Sequence, residues 1–251
     1  MNEHKICFII AHKYSRNCPS YIKITVDNIQ KFYPESFIVI VDNNSTNIED
    51  IYRLFLNYSN LNLVINDSNS KYELGAYIRG LNWLIEKNFL DYDYYMFLQD
   101  TLVFMKKYDF NILENNNIKA TPIIFFTFNE GCGIEYLREQ QRTILEPLNL
   151  FNEFDNMVCC WGSNFIIHKD KFMKLHGYIK DVVLTTKIDS EASERYMGRI
   201  IYELNNRNEN FSIDGNMCEY CSKTDLYCIN LNYANNNVHF QKKLQHMYDK
   251  N

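Results

Sequence analysis

The chain has 251 residues, a length that one α/β domain can hold, and 46% of them are apolar, enough for a sizeable core and against wholesale disorder. A formal charge of −5, with basic groupings no larger than Lys106-Lys107 and Lys242-Lys243, excludes a nucleic-acid binder built on a basic stripe. The longest apolar runs, Ile6–Ala11 and Phe37–Val41, fall far short of the ~20 residues needed to span a bilayer, and Met1–Lys5 lacks a signal peptide's architecture. A soluble, cytoplasmic protein is expected.

The pattern predicts alternating strands and helices through the first hundred residues. Ile6–Ala11 reads as a buried strand, and Pro19–Phe32 as a helix with Tyr21, Ile22, Ile24, Val26, Ile29 and Phe32 on one face. Ser36–Val41 is a second strand, ended by the turn cluster Asp42-Asn43-Asn44-Ser45. Ile48–Tyr58 is a helix, Asn62–Ile65 a strand, Leu74–Lys87 a helix and Tyr94–Leu98 a strand. The second half is less regular. Strands are expected at Ile123–Phe128, after a turn within Trp161–His168, and at Leu226–Leu231. Helices are expected at Ile134–Leu145, Lys169–His176, Glu191–Leu204 and Phe240–Tyr248, with Asp189 or Ser190 as a cap for the third. No repeat or linker divides the chain, so residues 1–251 read as a single domain.

Strands alternating with helices imply βαβ units and a mainly parallel sheet, and ligands bind beyond the carboxyl ends of such strands. Three polar residues fall at those ends: His12, Asp42 and Asp100. Asp42 either accepts hydrogen bonds from a nucleoside or caps its own turn. Gly75, in the first turn of a helix, suits close approach by backbone or phosphate, and Arg79 four residues on could reach a diphosphate. Asp100 is a candidate ligand for magnesium or manganese, hard cations that take one or two carboxylates together with substrate phosphates. The alternative is a strand-ending residue that caps the next turn. Of the eight cysteines, Cys218, Cys221 and Cys228 could join His239 as zinc ligands, but the spacing lacks a ribbon's second pair, and ordinary reduced thiols are the better reading.

In order and spacing, Ile6–His12, Phe37–Ser45, Glu73-Leu-Gly-Ala-Tyr-Ile-Arg-Gly and Phe97-Leu-Gln-Asp-Thr resemble the nucleotide-binding half of GT-A glycosyltransferases. The resemblance implies a GT-A, Rossmann-like α/β fold with helices flanking a mainly parallel sheet. Residues 1–101 would form the nucleotide-binding half and 102–251 the acceptor-binding half. Asp42 maps to the family's acidic residue on the nucleoside. Gln99-Asp100-Thr101 maps to the metal-binding DxD position, with one carboxylate where the common form has two. Trp161-Gly162-Ser163 resembles the acceptor-side segment. The acidic helix start Asp189-Ser-Glu-Ala-Ser-Glu matches the place of the general base in inverting relatives, with Glu191 the first choice and Glu194 the second. His239 would be a late metal or diphosphate ligand.

The activity implied is transfer of a sugar from a nucleotide-diphosphate donor to a hydroxyl of a glycan or other acceptor, with Mn2+ or Mg2+. Inversion is favoured over retention. Two alternatives stay open: a non-catalytic sugar-binding or assembly module on the same scaffold, and a nucleotidyltransferase. The second is disfavoured because His12-Lys13-Tyr14-Ser15-Arg16 carries no glycine after the first strand. The sequence leaves the oligomeric state open.

Overall fold

A computed structural model describes residues 4–13, 21–46, 48–127, 135–151, 158–206, 212–216 and 225–231. The first strand, β1 (Ile6–His12), is buried along its whole length, as a strand covered on both faces must be. After it come α1 (Ile22–Phe32), β2 (Phe37–Asp42), α2 (Ile48–Leu54), β3 (Leu61–Ile65), α3 (Tyr72–Glu86) and β4 (Tyr94–Gln99). This half follows the expected order. The main difference is α2, which ends at Leu54 rather than Tyr58: the amides of Phe55 and Tyr58 bond three residues back, to Tyr52 and Phe55, and the helix tightens into turns.

Strands β1, β2 and β3 pair in parallel, and β1 also pairs in parallel with β4. The second half then completes the same sheet. Strands β5 (Leu102–Phe104), β6 (Ala120–Pro122), β7 (Ile124–Thr127), β8 (Val158–Cys160) and β9 (Phe165–His168) follow in sequence, as do the helices α4 (Asn111–Asn115) and α5 (Glu135–Leu145). Strand β9 pairs antiparallel with β4, and β6 antiparallel with β9, giving the order β3-β2-β1-β4-β9-β6. The sheet is therefore mainly parallel with an antiparallel end. Two smaller sheets join β7 to β8 and to β10 (Gly215–Asn216), and β5 to β11 (Cys228–Asn230).

Alternate residues of β1 feed two cores. Phe8 and Ile10 pack with Ile22, Val26 and Ile29 of α1. Cys7 and Ile9 face the other layer, with Leu74, Tyr77 and Leu81 of α3. That layer also holds α6 (Phe172–Ile179) and α7 (Lys187–Leu204). Helix α7 begins four residues earlier than the sequence suggested. Its cap is Thr186, not Asp189 or Ser190: the Thr186 hydroxyl accepts from the Asp189 amide and the Asp189 carboxylate accepts from the Thr186 amide, a reciprocal capping box. Cys7, Cys159, Cys160 and Cys228 are buried thiols. The other residues of the possible zinc set, Cys218, Cys221 and His239, lie outside the described residues, as does the expected terminal helix Phe240–Tyr248. No described helix is long and apolar enough to cross a membrane.

Candidate functional site

The strand order reverses direction about β1, because β2 follows on one side and β4 lies on the other. A crevice opens at such a switch point, beyond the carboxyl ends of the strands. Backbone hydrogen bonds tie its rim: the Asp100 amide donates to the Ala11 carbonyl at 3.1 Å, and the Asn43 amide to the His12 carbonyl at 2.8 Å. The resulting cleft has a volume of about 530 Å3, with His12, Lys13, Asn43, Tyr72, Glu73 and Asp100 among its lining residues.

His12 and Asp100 meet as the strand ends required. His12 Nδ1 lies 2.5 Å from Asp100 Oδ2, while Nε2 lies 3.9 Å from Asp42 Oδ2, beyond hydrogen-bond reach. The Asp100 carbonyl also accepts from the Thr25 hydroxyl at 2.6 Å, so α1 fixes this residue from behind. Asp42 takes the second of the two roles its position suggested, the turn cap. It is fully buried, and its two oxygens accept from the Ser45 amide and hydroxyl, each at 2.6 Å. It closes its own turn beside His12, and Asn43 takes the place at the cleft wall.

A second polar group joins three elements across the cleft. The Glu73 carboxylate, at the start of α3, accepts from Gln99 Nε2 at 2.9 Å and from the Ser190 hydroxyl of α7 at 3.1 Å. The Gln99 amide donates to Asn164 Oδ1 at 2.7 Å. Next to them, Trp161–Ser163 form a single 3-10 turn before β9, with Gly162 at φ 61° and Ser163 at φ 52°. Glycine suits this left-handed backbone, and a Cβ on Gly162 would lie 2.7 Å from Gln99 Oε1. The Gly162 amide donates to Glu194 Oε1 at 3.1 Å. Burial raises the Glu194 carboxyl to about 7, and the nearby Glu73 charge adds to the rise.

The remaining expected residues fall elsewhere or do other work. Gly75 has no open space before it: an added Cβ would sit 2.6 Å from the Ser70 carbonyl, so this glycine admits the preceding loop rather than a phosphate. Arg79 reaches away from the cleft to Glu86, at 3.6 Å near the far end of α3. The Asp189 carboxylate accepts from the amides of Thr185 and Thr186, which hold it below the usual carboxylate range despite the cost of burial. Glu191 is partly exposed, and its carbonyl accepts from Arg195. Ser163 points to Ser193 of α7, with the hydroxyls 3.4 Å apart. His239 lies outside the described residues. Among the described residues, no three His, Cys, Asp or Glu side chains cluster as a metal site.

The sequence alone missed Glu73, Lys13 and Asn164. Lys13 Nζ donates to the carbonyls of Asn43 and Asn44 at 2.6 and 2.7 Å, which sets an ammonium at the rim of the cleft. Tyr72, beside Glu73, has φ 62°, an unusual conformation for an aromatic residue and one that tends to mark a functional position.

No family model matches the sequence. No curated protein matches it either. Among solved structures, the chain is similar to S. aureus TarS, at 15% identity over 89% of this chain with a TM-score of 0.51. A structure of TarS residues 1–349 aligns with 78% of this chain at 15% identity and a TM-score of 0.46. The chain spans 36% of the longer TarS structure and 55% of the shorter. The likeness is one of fold: the chain has a Rossmann-like α/β fold of the GT-A type.

Proposed function

We propose that this chain is a glycosyltransferase that moves a sugar from a nucleotide-diphosphate donor to a hydroxyl group of a glycan or similar acceptor. The observation that carries the reading is that a GT-A sheet places a switch-point carboxylate, Asp100, at the cleft wall and that a half-buried carboxyl, Glu194, whose ionisation falls near neutral pH, stands on the Trp161–Ser163 turn. The diphosphate would lie in the cleft beside Lys13 and Lys71, the cations at its wall, rather than on Arg79. Asn43 and Tyr72 would face the nucleoside. Residues 1–101 then serve the donor. The acceptor half, 102–251, contributes the Trp161–Ser163 turn and the first turns of α7.

The reaction is a single displacement. The acceptor oxygen attacks the anomeric carbon as the bond from that carbon to the diphosphate breaks, and the electron pair leaves with the diphosphate. The acceptor proton passes to Glu194. A general base works best when its pKa lies near the working pH, and Glu194 meets that condition. Asp189 is committed to its cap, and Glu191 has no comparable tie to the Trp161–Ser163 turn, so Glu194 replaces Glu191 as the preferred base. Attack opposite the leaving group inverts the anomeric centre.

Asp100 fits a divalent cation as a single carboxylate ligand, with the diphosphate supplying further oxygens. When bound, Mn2+ or Mg2+ would neutralise charge on the leaving diphosphate. His12 would hold Asp100 in place through Nδ1.

The test is the pH dependence of turnover for wild type and Glu194→Gln. The expected wild-type profile rises with pH through about 7, as the base ionises, and Glu194→Gln loses kcat at saturating donor with little change in donor affinity. An unchanged kcat in Glu194→Gln overturns the assignment of the base.

A further inference from the structure

Strand β3 forms one end of the main sheet, with β2 as its neighbour there. The two pair in parallel from Ile38↔Leu61 to Asp42↔Ile65. Beyond each end of this register the Ile38 amide donates to the Asn60 carbonyl at 2.9 Å, and the Asn66 amide to the Asp42 carbonyl at 2.7 Å. In a parallel ladder, alternate residues turn both backbone groups to the same neighbour. Asn60, Asn62, Val64 and Asn66 therefore face β2, and Leu61, Leu63 and Ile65 turn their N–H and C=O groups outward. No hydrogen bond among the described residues engages those outward groups.

Edge strands are usually blunted by lysine, proline, a bulge or a covering element. Leu61–Ile65 carries no charge and no proline. The side chains of Leu61 and Leu63 pack on the core that holds Ile51 and Phe55, on the sheet face covered by α2. Between α2 and β3 lie two adjoining hollows, of about 470 and 120 Å3, with Tyr52 and Leu63 common to both. Their walls are apolar and open: Tyr52 is 57% exposed, Leu56 63% and Ile65 46%. Large apolar side chains gathered at an unpaired edge mark an interaction surface.

The residues of this edge select its partner. A second copy turned about a two-fold axis through Leu63, perpendicular to the sheet, sets Leu63 opposite Leu63 and Leu61 opposite Ile65. Every cross-strand pair is then apolar on apolar. The outward backbone groups satisfy one another in roughly six hydrogen bonds of a short antiparallel ladder. The same axis keeps α2 of both copies on one face of the sheet, antiparallel and closest at Tyr52, which borders Leu63. Glu49 before Tyr52 and Arg53 after it are an exposed acid and base, so opposite charges meet across the seam. A foreign peptide would require neither a symmetric edge nor balanced charges.

We propose that this chain forms a symmetric dimer in which β3 pairs antiparallel with β3 of a second copy, making one continuous sheet, with Tyr52 and Leu56 of both copies closing over the seam. Such pairing needs neither donor nor acceptor and is independent of sugar transfer.

The test is sedimentation of the whole chain over a wide range of concentration, with hydrogen exchange on the same samples. Wild type is expected to dimerise, with the Leu61, Leu63 and Ile65 amides protected in the dimer and exchanging freely on dilution. Leu56→Glu and Ile65→Lys, both at exposed positions, should keep the native circular dichroism spectrum and weaken the dimer about tenfold or more, the scale of a central interface contact. The proposal is overturned by folded wild type that stays monomeric at every concentration, which would leave the edge to a different chain. It is overturned equally by a dimer that both substitutions leave unaltered, or by one in which the three amides exchange as fast as in the monomer.

Discussion

Glu194 and Glu73 are two carboxylates on neighbouring elements, and the Glu73 charge helps to raise the Glu194 carboxyl. Because the Glu194 carboxyl is raised from 4.5 to about 7, the native state binds more protons than the unfolded chain between those values. Stability contributed at this position is therefore lost as pH rises through that window, by at most about 3 kcal/mol. Glu194→Gln removes the ionisation, so its melting temperature should match wild type near pH 4 and exceed it above pH 7. A difference independent of pH would contradict the burial of a charge here. Glu73→Gln should move the rising limb of the rate profile to lower pH, since the Glu73 charge contributes to the raised value. A limb that stays in place would separate the two residues. Among single residues, His12 and Asp100 were legible because strand ends deliver them to one rim. Glu73 was not, because an acid in the first turn of a helix is what the helix dipole favours with or without a ligand.

At the scale of elements, two short structures hold the second half of the site. The capping box of Thr186 and Asp189 starts α7, which carries Ser190 and Glu194. Thr186→Ala should cost about 1 kcal/mol in unfolding measurements. The Trp161–Ser163 turn presents the Gly162 amide to Glu194 and presses against Gln99. Gly162→Ala meets both the left-handed backbone and the Gln99 side chain. It should lose roughly 1 to 3 kcal/mol of stability and most of the turnover, because Gln99 must move off Glu73. Retained kcat with only a lower melting temperature would make the turn structural alone. The long strands and helices of the first half were readable from periodicity. Strands β5, β6 and β8 were not, since three residues leave no period to read. The same holds for the Gln99–Asn164 bond, which joins residues 65 apart that no local pattern links.

At the scale of the molecule, the sheet is one structure built by both halves of the chain: β9 lies against β4, so the end of β4 meets the residue after the Trp161–Ser163 turn directly. The order of the first four strands made this fold recognisable, while the antiparallel end depended on pairings the sequence does not announce. With Asp100 as the single carboxylate ligand, Mn2+ binding is expected only together with a nucleoside diphosphate, and calorimetry with the metal alone should give no measurable heat. The central claim is that the switch-point cleft transfers sugar from a nucleotide donor. Its most direct test is release of free nucleoside diphosphate from a panel of uridine-, guanosine- and thymidine-diphosphate sugars with Mn2+, comparing wild type with Asp100→Ala. The account expects turnover of one donor class by wild type and its loss in folded Asp100→Ala; turnover that survives that substitution, or none from any donor with folded wild-type protein, would contradict it.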